Sequence, residues 1–170
     1  MAAFDSPYIM IVITIFMFLA GTNMALVYFA LKGNFRKATG NNEFVFYIAI
    51  SFVFILISSV ILILRGDIPV GMAIGDGTFH VISIITTTGF YTQDYSLWGY
   101  SMTLIIFILM FTGGTAGSTS GGIKSVRLLL ITKNSRQELK KLIHPNAFLP
   151  VRIDRHIIPQ NTIYNVLVFL

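Results

Sequence analysis

Residues 84–91 read IITTTGFY: three consecutive threonines, Thr86, Thr87 and Thr88, run into Gly89, Phe90 and Tyr91. The chemistry open to such a run is cation coordination. β-Branched threonines resist helix and favour extended backbone, which lines up successive carbonyl oxygens. Their hydroxyls add further oxygen ligands. Gly89 permits a backbone conformation that other residues avoid. Phe90 and Tyr91 can wedge the turn against its surroundings. Oxygens arrayed in this way can replace the hydration shell of a potassium ion. The competing reading is a threonine-rich extracellular loop, and the flanking elements decide between the two.

A second unusual stretch, GGTAGSTSGGIK, covers residues 113–124. Five glycines in ten residues, Gly113, Gly114, Gly117, Gly121 and Gly122, are incompatible with a stable helix. Ser118, Thr119 and Ser120 can satisfy the freed backbone groups. If this stretch lies within a membrane, its irregular backbone implies a cavity or pore, and its glycines allow it to swing as a gate. Lys124 follows at once; it is either a positive charge at the inner pore mouth or an ordinary cytoplasmic anchor. The stretch misses a phosphate-binding P-loop by one residue, because Ile123 separates Gly122 from Lys124 and Ser125.

Nothing else assembles into a catalytic set, so no enzyme is expected. The three histidines are scattered at 80, 144 and 156, and no carboxylates pair within the apolar segments. His80 reads as a packed core residue rather than a metal ligand or pH sensor.

The elements that must position these residues follow from composition. Of 170 residues, 55% are hydrophobic and 11% charged, with a mean hydropathy of +0.77. An ordinary soluble domain is about 25% charged, and a fold this small has too little interior to hide so much apolar surface. An integral membrane protein is expected. Cysteine is absent, which excludes a disulfide framework and a cysteine-based zinc site.

Residues 6–31 and 44–64 carry no charge and are long enough to cross a hydrocarbon core of about 30 Å, which takes roughly 20 residues. Asn23, beside Gly21 and Thr22, suggests that the first span packs against protein through an interhelical hydrogen bond. A third span is centred on 97–111. Lys32, Arg36 and Lys37 follow the first span; Lys124, Arg127, Lys133, Arg136, Lys140, Lys141, Arg152 and Arg155 follow the third. Asp5, Asp67, Asp76 and Asp94 fall on the opposite side. The positive-inside rule places 32–42 and 124–160 in the cytoplasm. The net charge of +5 is thus mostly a topology signal, not a nucleic-acid footprint.

This orientation forces the segment between the second and third spans to enter and leave on the same side. A pore-type helix is expected from about Thr78 to Ile85, with Gly71, Gly75 and Gly77 before it as loop or frayed helix. The return is non-helical, and the helix C-terminus, with about half a negative charge, faces a cation. The expected fold is all-α: a helix–pore loop–helix repeat with a re-entrant pore helix and a broken second helix. Residues 133–142, KNSRQELKKL, form either a solvated charged helix or an amphipathic one facing a partner or lipid headgroups.

TTTGF at 86–90, GGTAGSTSGGIK at 113–124 and the flanking SPYIMIVITIFMFLAGTN and HPNAFLPVR resemble the TrkH proteins of the Trk/Ktr/HKT potassium-transporter superfamily. The resemblance covers essentially the whole chain. It implies four non-identical repeats around one pore, a filter of backbone carbonyls at Thr86, Thr87, Thr88, Gly89 and Phe90, and a gate at 113–122 with Lys124. It implies passage of K+ with no covalently bound cofactor, a homodimer in the bacterial inner membrane, and a cytosolic nucleotide-binding partner of the TrkA type. Residues 1–42 would then hold the last membrane helix of the preceding repeat and a cytoplasmic loop. Residues 43–142 would be one complete repeat, and 143–170 a linker and the truncated start of the next. The alternative is a subunit of a tetrameric two-helix potassium channel; the extra N-terminal span counts against it. Tyr91 stands where the TVGYG filter of those channels has its second glycine, so fewer ion sites and weaker discrimination against sodium are expected.

Overall fold

The computed structural model describes residues 6–34, 39–66, 68–93, 98–143, 150–154 and 156–169. Among residues named above, Asp5, Arg36, Lys37, Asp67, Asp94 and Arg155, and residues 144–149 of the HPNAFLPVR stretch, lie outside them. The described residues form seven helices and one hairpin: α1 (Pro7–Ala20), α2 (Met24–Leu31), α3 (Asn42–Arg65), α4 (Val70–Ile85), α5 (Tyr100–Met110), α6 (Ser125–Ile143), β1 (Arg152–Ile153), β2 (His156–Ile157) and α7 (Gln160–Phe169).

The first apolar span is not one helix. Pro7 opens α1 where its missing N–H costs nothing. The chain breaks at Gly21–Asn23 and α2 leaves at 115° to α1. Asn23 makes the break usable, because its side-chain oxygen accepts from the N–H of Ala25 at 2.8 Å and caps α2. Thus Asn23 ends a span that was expected to continue to Leu31.

Among the described helices, α3 alone is long and apolar enough to cross a membrane unbroken. Its 24 residues reach about 36 Å at 1.5 Å each. Asn41 caps it by accepting from the N–H of Phe44 at 2.8 Å, and Gly66, at φ 76°, stops it. Asn41 also donates to Asp154 at 3.0 Å, which ties the hairpin to the foot of α3. Asn41→Ala is expected to lower stability by about 1 kcal/mol. Thermal unfolding in detergent measures it; an unchanged midpoint would show that the cap contributes nothing.

The re-entrant geometry is visible in two layers of core. Leu62 near the end of α3, Ala73 near the start of α4, and Trp98 and Met102 at the start of α5 pack together. Tyr47 near the start of α3 packs with Ile85 at the end of α4 and Leu109 at the end of α5. So α4 descends beside α3, and the chain returns to the level of Leu62 before α5 descends again. At 16 residues, or about 24 Å, α4 is too short to span.

The helix begins at Val70, eight residues earlier than Thr78. Gly71, Gly75 and Gly77 are helical, not loop or frayed. The cause is close packing. A Cβ on Gly77 would lie 3.1 Å from the hydroxyls of Ser58 and Ser59 on α3, and one on Gly75 would lie 2.9 Å from the methyl of Met10 on α1. Tertiary contact outweighs the roughly 1 kcal/mol that each glycine costs in helix propensity. The third span is also shorter than its apolar run: α5 ends at Met110. The stretch 133–142 falls inside the longer α6, which begins directly after Lys124. The hairpin was not anticipated, and α7 lies in the stretch expected to begin the next repeat; Ile153 and Ile163 pack with Leu129 and Leu130 of α6.

Candidate functional site

The turn after α4 separates its donors from its acceptors. The N–H groups of Thr88 and Gly89 both point back to the carbonyl of Ser83, at 2.9 and 3.3 Å. The N–H of Thr87 donates to Ile84 at 2.9 Å. By contrast, the carbonyl oxygens of Thr86, Thr87, Thr88 and Gly89 accept no hydrogen bond from any of the described residues. Two left-handed residues produce this arrangement, Thr87 at φ 55° and Gly89 at φ 75°. For Thr87 that conformation is strained by about 1–2 kcal/mol. Its hydroxyl is fixed in return by accepting from the N–H of Gly121 at 2.7 Å.

Thr86 is buried, and its hydroxyl donates to Ile82 at 2.8 Å and lies 2.9 Å from the hydroxyl of Thr88. Thr87, Thr88, Gly89, Phe90 and Tyr91 are exposed.

The returning chain is laced onto α4. The buried hydroxyl of Ser83 donates to the carbonyl of Phe90 at 2.6 Å. Thr92 donates to the carboxylate of Asp76 at 2.8 Å. The ring nitrogens of His80 face the carbonyls of Asp76 at 2.9 Å and Gln93 at 3.3 Å. His80, 1% exposed and 4.5 Å from the Trp98 ring, is a packed, hydrogen-bonded core residue. Asp76 does not sit free on the outer surface; it is buried inside α4.

Residues 111–124 connect α5 to α6 without helix. Thr112 and Ile123 form a bridge that closes the neck of the loop. The hydroxyl of Ser120 accepts from the N–H of Gly114 at 2.9 Å, and that of Ser118 donates to Thr115 at 2.6 Å. Ser125 donates to Gly113 at 2.8 Å. Two glycines are demanded by backbone proximity: a Cβ on Gly113 would fall 2.3 Å from the carbonyl of Gly121, and one on Gly114 would fall 2.4 Å from that of Gly21.

Lys124 turns into the loop. Its ammonium donates to the carbonyl of Ser120, and to the carbonyl and hydroxyl of Ser118 at 3.3 and 3.4 Å.

The loop seats on the break between α1 and α2. Thr115 donates its N–H to Gly21 at 3.0 Å, and Thr119 donates its N–H and hydroxyl to Ala20 at 3.3 and 3.1 Å. Asn23 donates to the carbonyl of Ala116 at 2.7 Å. Glu43, in the first turn of α3 and 8% exposed, accepts from the N–H of Ala116. The same carboxylate lies within electrostatic reach of Lys124 at the end of the loop.

The fold therefore joins the threonine turn and the glycine-rich loop directly, through Gly121 and Thr87. Glu43 and Ser83 belong to this assembly and went unnoticed in the sequence. Glu43 had a signal, as the acidic residue that opens an otherwise uncharged span. Ser83 had none beyond being polar in an apolar helix. Chemically, the site offers uncommitted carbonyl oxygens above an internally bonded, cation-bearing loop.

Comparison with known proteins agrees with this architecture. The family described as TrkH, cation transport protein, matches residues 1–170. The Trk system potassium uptake protein TrkH of Escherichia coli K12 is 34% identical over 159 residues, 92% of this chain and 33% of the relative. The TrkH of Halomonas elongata is 39% identical over 105 residues, 62% of this chain and 22% of the relative. The crystal structure of the potassium transporter TrkH from Vibrio parahaemolyticus superposes with a TM-score of 0.92 at 30% identity, covering 99% of this chain and 37% of that one. The chain thus spans about a third of the length of the curated relatives it matches. With a match along its whole length and the same fold as a solved TrkH, the chain belongs to the TrkH family of cation transport proteins.

Proposed function

We propose that this segment supplies one filter element and the gate of a potassium uptake channel-transporter. The observation that carries the reading is the set of four uncommitted carbonyls, Thr86 to Gly89, at the foot of a re-entrant helix. Those oxygens, with the threonine hydroxyls nearby and Phe90 held by Ser83, stand in for water around a dehydrating K+. The C-terminal end of α4 adds about half a negative charge to the same place. Conduction is passive, and residues 113–122 with Lys124 form the gate directly below the filter.

On this reading residues 1–42 close the preceding repeat, 43–142 form one repeat and 143–170 begin the next. The repeats enclose a pore in a bacterial inner membrane, with 32–42 and 124–160 cytoplasmic. The naming of the relatives as parts of a Trk system supports association with other Trk components; the partners in this reading are a second copy and a cytosolic nucleotide-binding subunit of the TrkA type. Lys133, Arg136, Lys140 and Lys141 on α6 give that subunit or lipid headgroups a basic surface.

The test is uptake of radioactive rubidium by liposomes containing the intact protein. Saturable uptake displaced by K+ at lower concentration than by Na+ is expected. Equal displacement by the two ions, or no entry, would sink the reading.

A further inference from the structure

The backbone of Ala116 is held from both sides, by one side chain from the break between α1 and α2 and by one from α3. Its carbonyl accepts from Asn23 at 2.7 Å, across 93 residues of sequence. Its N–H is taken by Glu43, across 73. Ala116 has no functional group, so neither contact would be foreseen from the loop itself. We propose that Asn23 and Glu43 form a two-sided clamp that positions the glycine-rich loop in this seated conformation, so that releasing Ala116 is the step that frees the loop. The proposal rests on the gate reading of residues 113–124.

Three features favour a clamp over ordinary packing. The donors and acceptors are complementary, since a carboxamide supplies the N–H and a carboxylate supplies the acceptor to the two backbone groups of one residue. The carboxylate bond is charge-assisted and partly buried, the class with the larger single contributions. Asn23, for its part, is pre-aimed: its oxygen is committed to the N–H of Ala25, which leaves the amide nitrogen directed at the loop.

The test exploits the absence of cysteine from this segment. In the intact protein, Thr115→Cys places a reporter at a residue with 0% exposure, and its modification by a charged methanethiosulfonate reports how often the loop leaves its seat. Asn23→Asp keeps the oxygen that caps α2 but loses the donor to Ala116. Glu43→Ala removes the acceptor, and Glu43→Gln retains one. Asn23→Asp and Glu43→Ala are each expected to speed modification about tenfold, whereas Glu43→Gln stays within about threefold of the parent. Both bonds act on one residue, so the double variant should fall short of the product of the single effects.

Unchanged modification in monodisperse Asn23→Asp and Glu43→Ala protein would overturn the clamp, as would Glu43→Gln behaving like Glu43→Ala. If Glu43→Ala does not fold, Asn23→Asp alone decides, because the helix cap survives in it. Rubidium flux measured in parallel separates the two readings. Faster modification with unchanged flux supports the clamp and sinks the gate. Altered flux in a loop deletion, with unchanged modification in the clamp variants, overturns the clamp and leaves the gate standing.

Discussion

Gly89→Ala is expected to reduce the preference of the intact transporter for potassium over sodium by about tenfold or more, without loss of protein from the membrane. The effect is purely conformational. A Cβ at Gly89 meets nothing within 4 Å, so no clash drives it. The backbone sits at φ 75°, a region that costs an L side chain about 1–2 kcal/mol. Thr87 already carries that strain two residues earlier, and a second strained residue in the same turn favours its relaxation to another shape. Relaxation rotates the Thr88 and Gly89 carbonyls and frees the two N–H groups now shared by Ser83. Competition between sodium and rubidium in liposomes reads the outcome. An unaltered preference would mean that these carbonyls are not ion ligands.

Gly113→Ala is expected to act in the opposite sense and to raise basal rubidium flux, by up to about a hundredfold if the overpacking cost is near 3 kcal/mol. Here the obstacle is steric and unyielding. The new methyl would lie 2.3 Å from the carbonyl of Gly121 and 3.1 Å from that of Ile123. Both are backbone atoms in the closed neck of the loop, where Gly113 and Ile123 are hydrogen-bonded at 2.9 Å. No side-chain rotation relieves the contact, so the neck must open. Flux equal to the parent's, from protein with normal thermal stability, would show that the seated loop does not obstruct the pore.

The sequence made the re-entrant segment legible because charge is scarce here. Twelve basic residues distributed almost wholly behind two apolar runs leave little freedom in topology. The two irregular stretches were equally plain, since glycine and threonine act through the backbone and need no partner to be recognised. What stayed hidden were decisions made between elements. Gly77 reads as a helix breaker until Ser58 and Ser59 are placed 3.1 Å from its missing Cβ. Asn23 reads as one polar residue in a continuous span until the loop arrives to take its amide. Glu43 looks like a helix-start carboxylate of the kind favoured by the dipole, and only the fold shows it serving Ala116. Lys124 could be read as anchor or pore charge with equal ease, because its position says nothing about which way a flexible four-carbon stem turns.

The bonds that lace the return of the chain onto α4 differ in one respect from those that seat the loop. Ser83 to Phe90, His80 to Gln93 and Asp76 to Thr92 span 7, 13 and 16 residues of sequence. The loop is seated by bonds that span 73, 93 and 94. Short-range pairings close quickly and long-range ones wait for their partners. During biogenesis the filter turn can therefore take shape as soon as its own hairpin has entered the bilayer. The seated loop comes later, when α1 and α3 are already in register beside it. A barrier that forms only in the assembled bundle makes leak the signature of incomplete assembly.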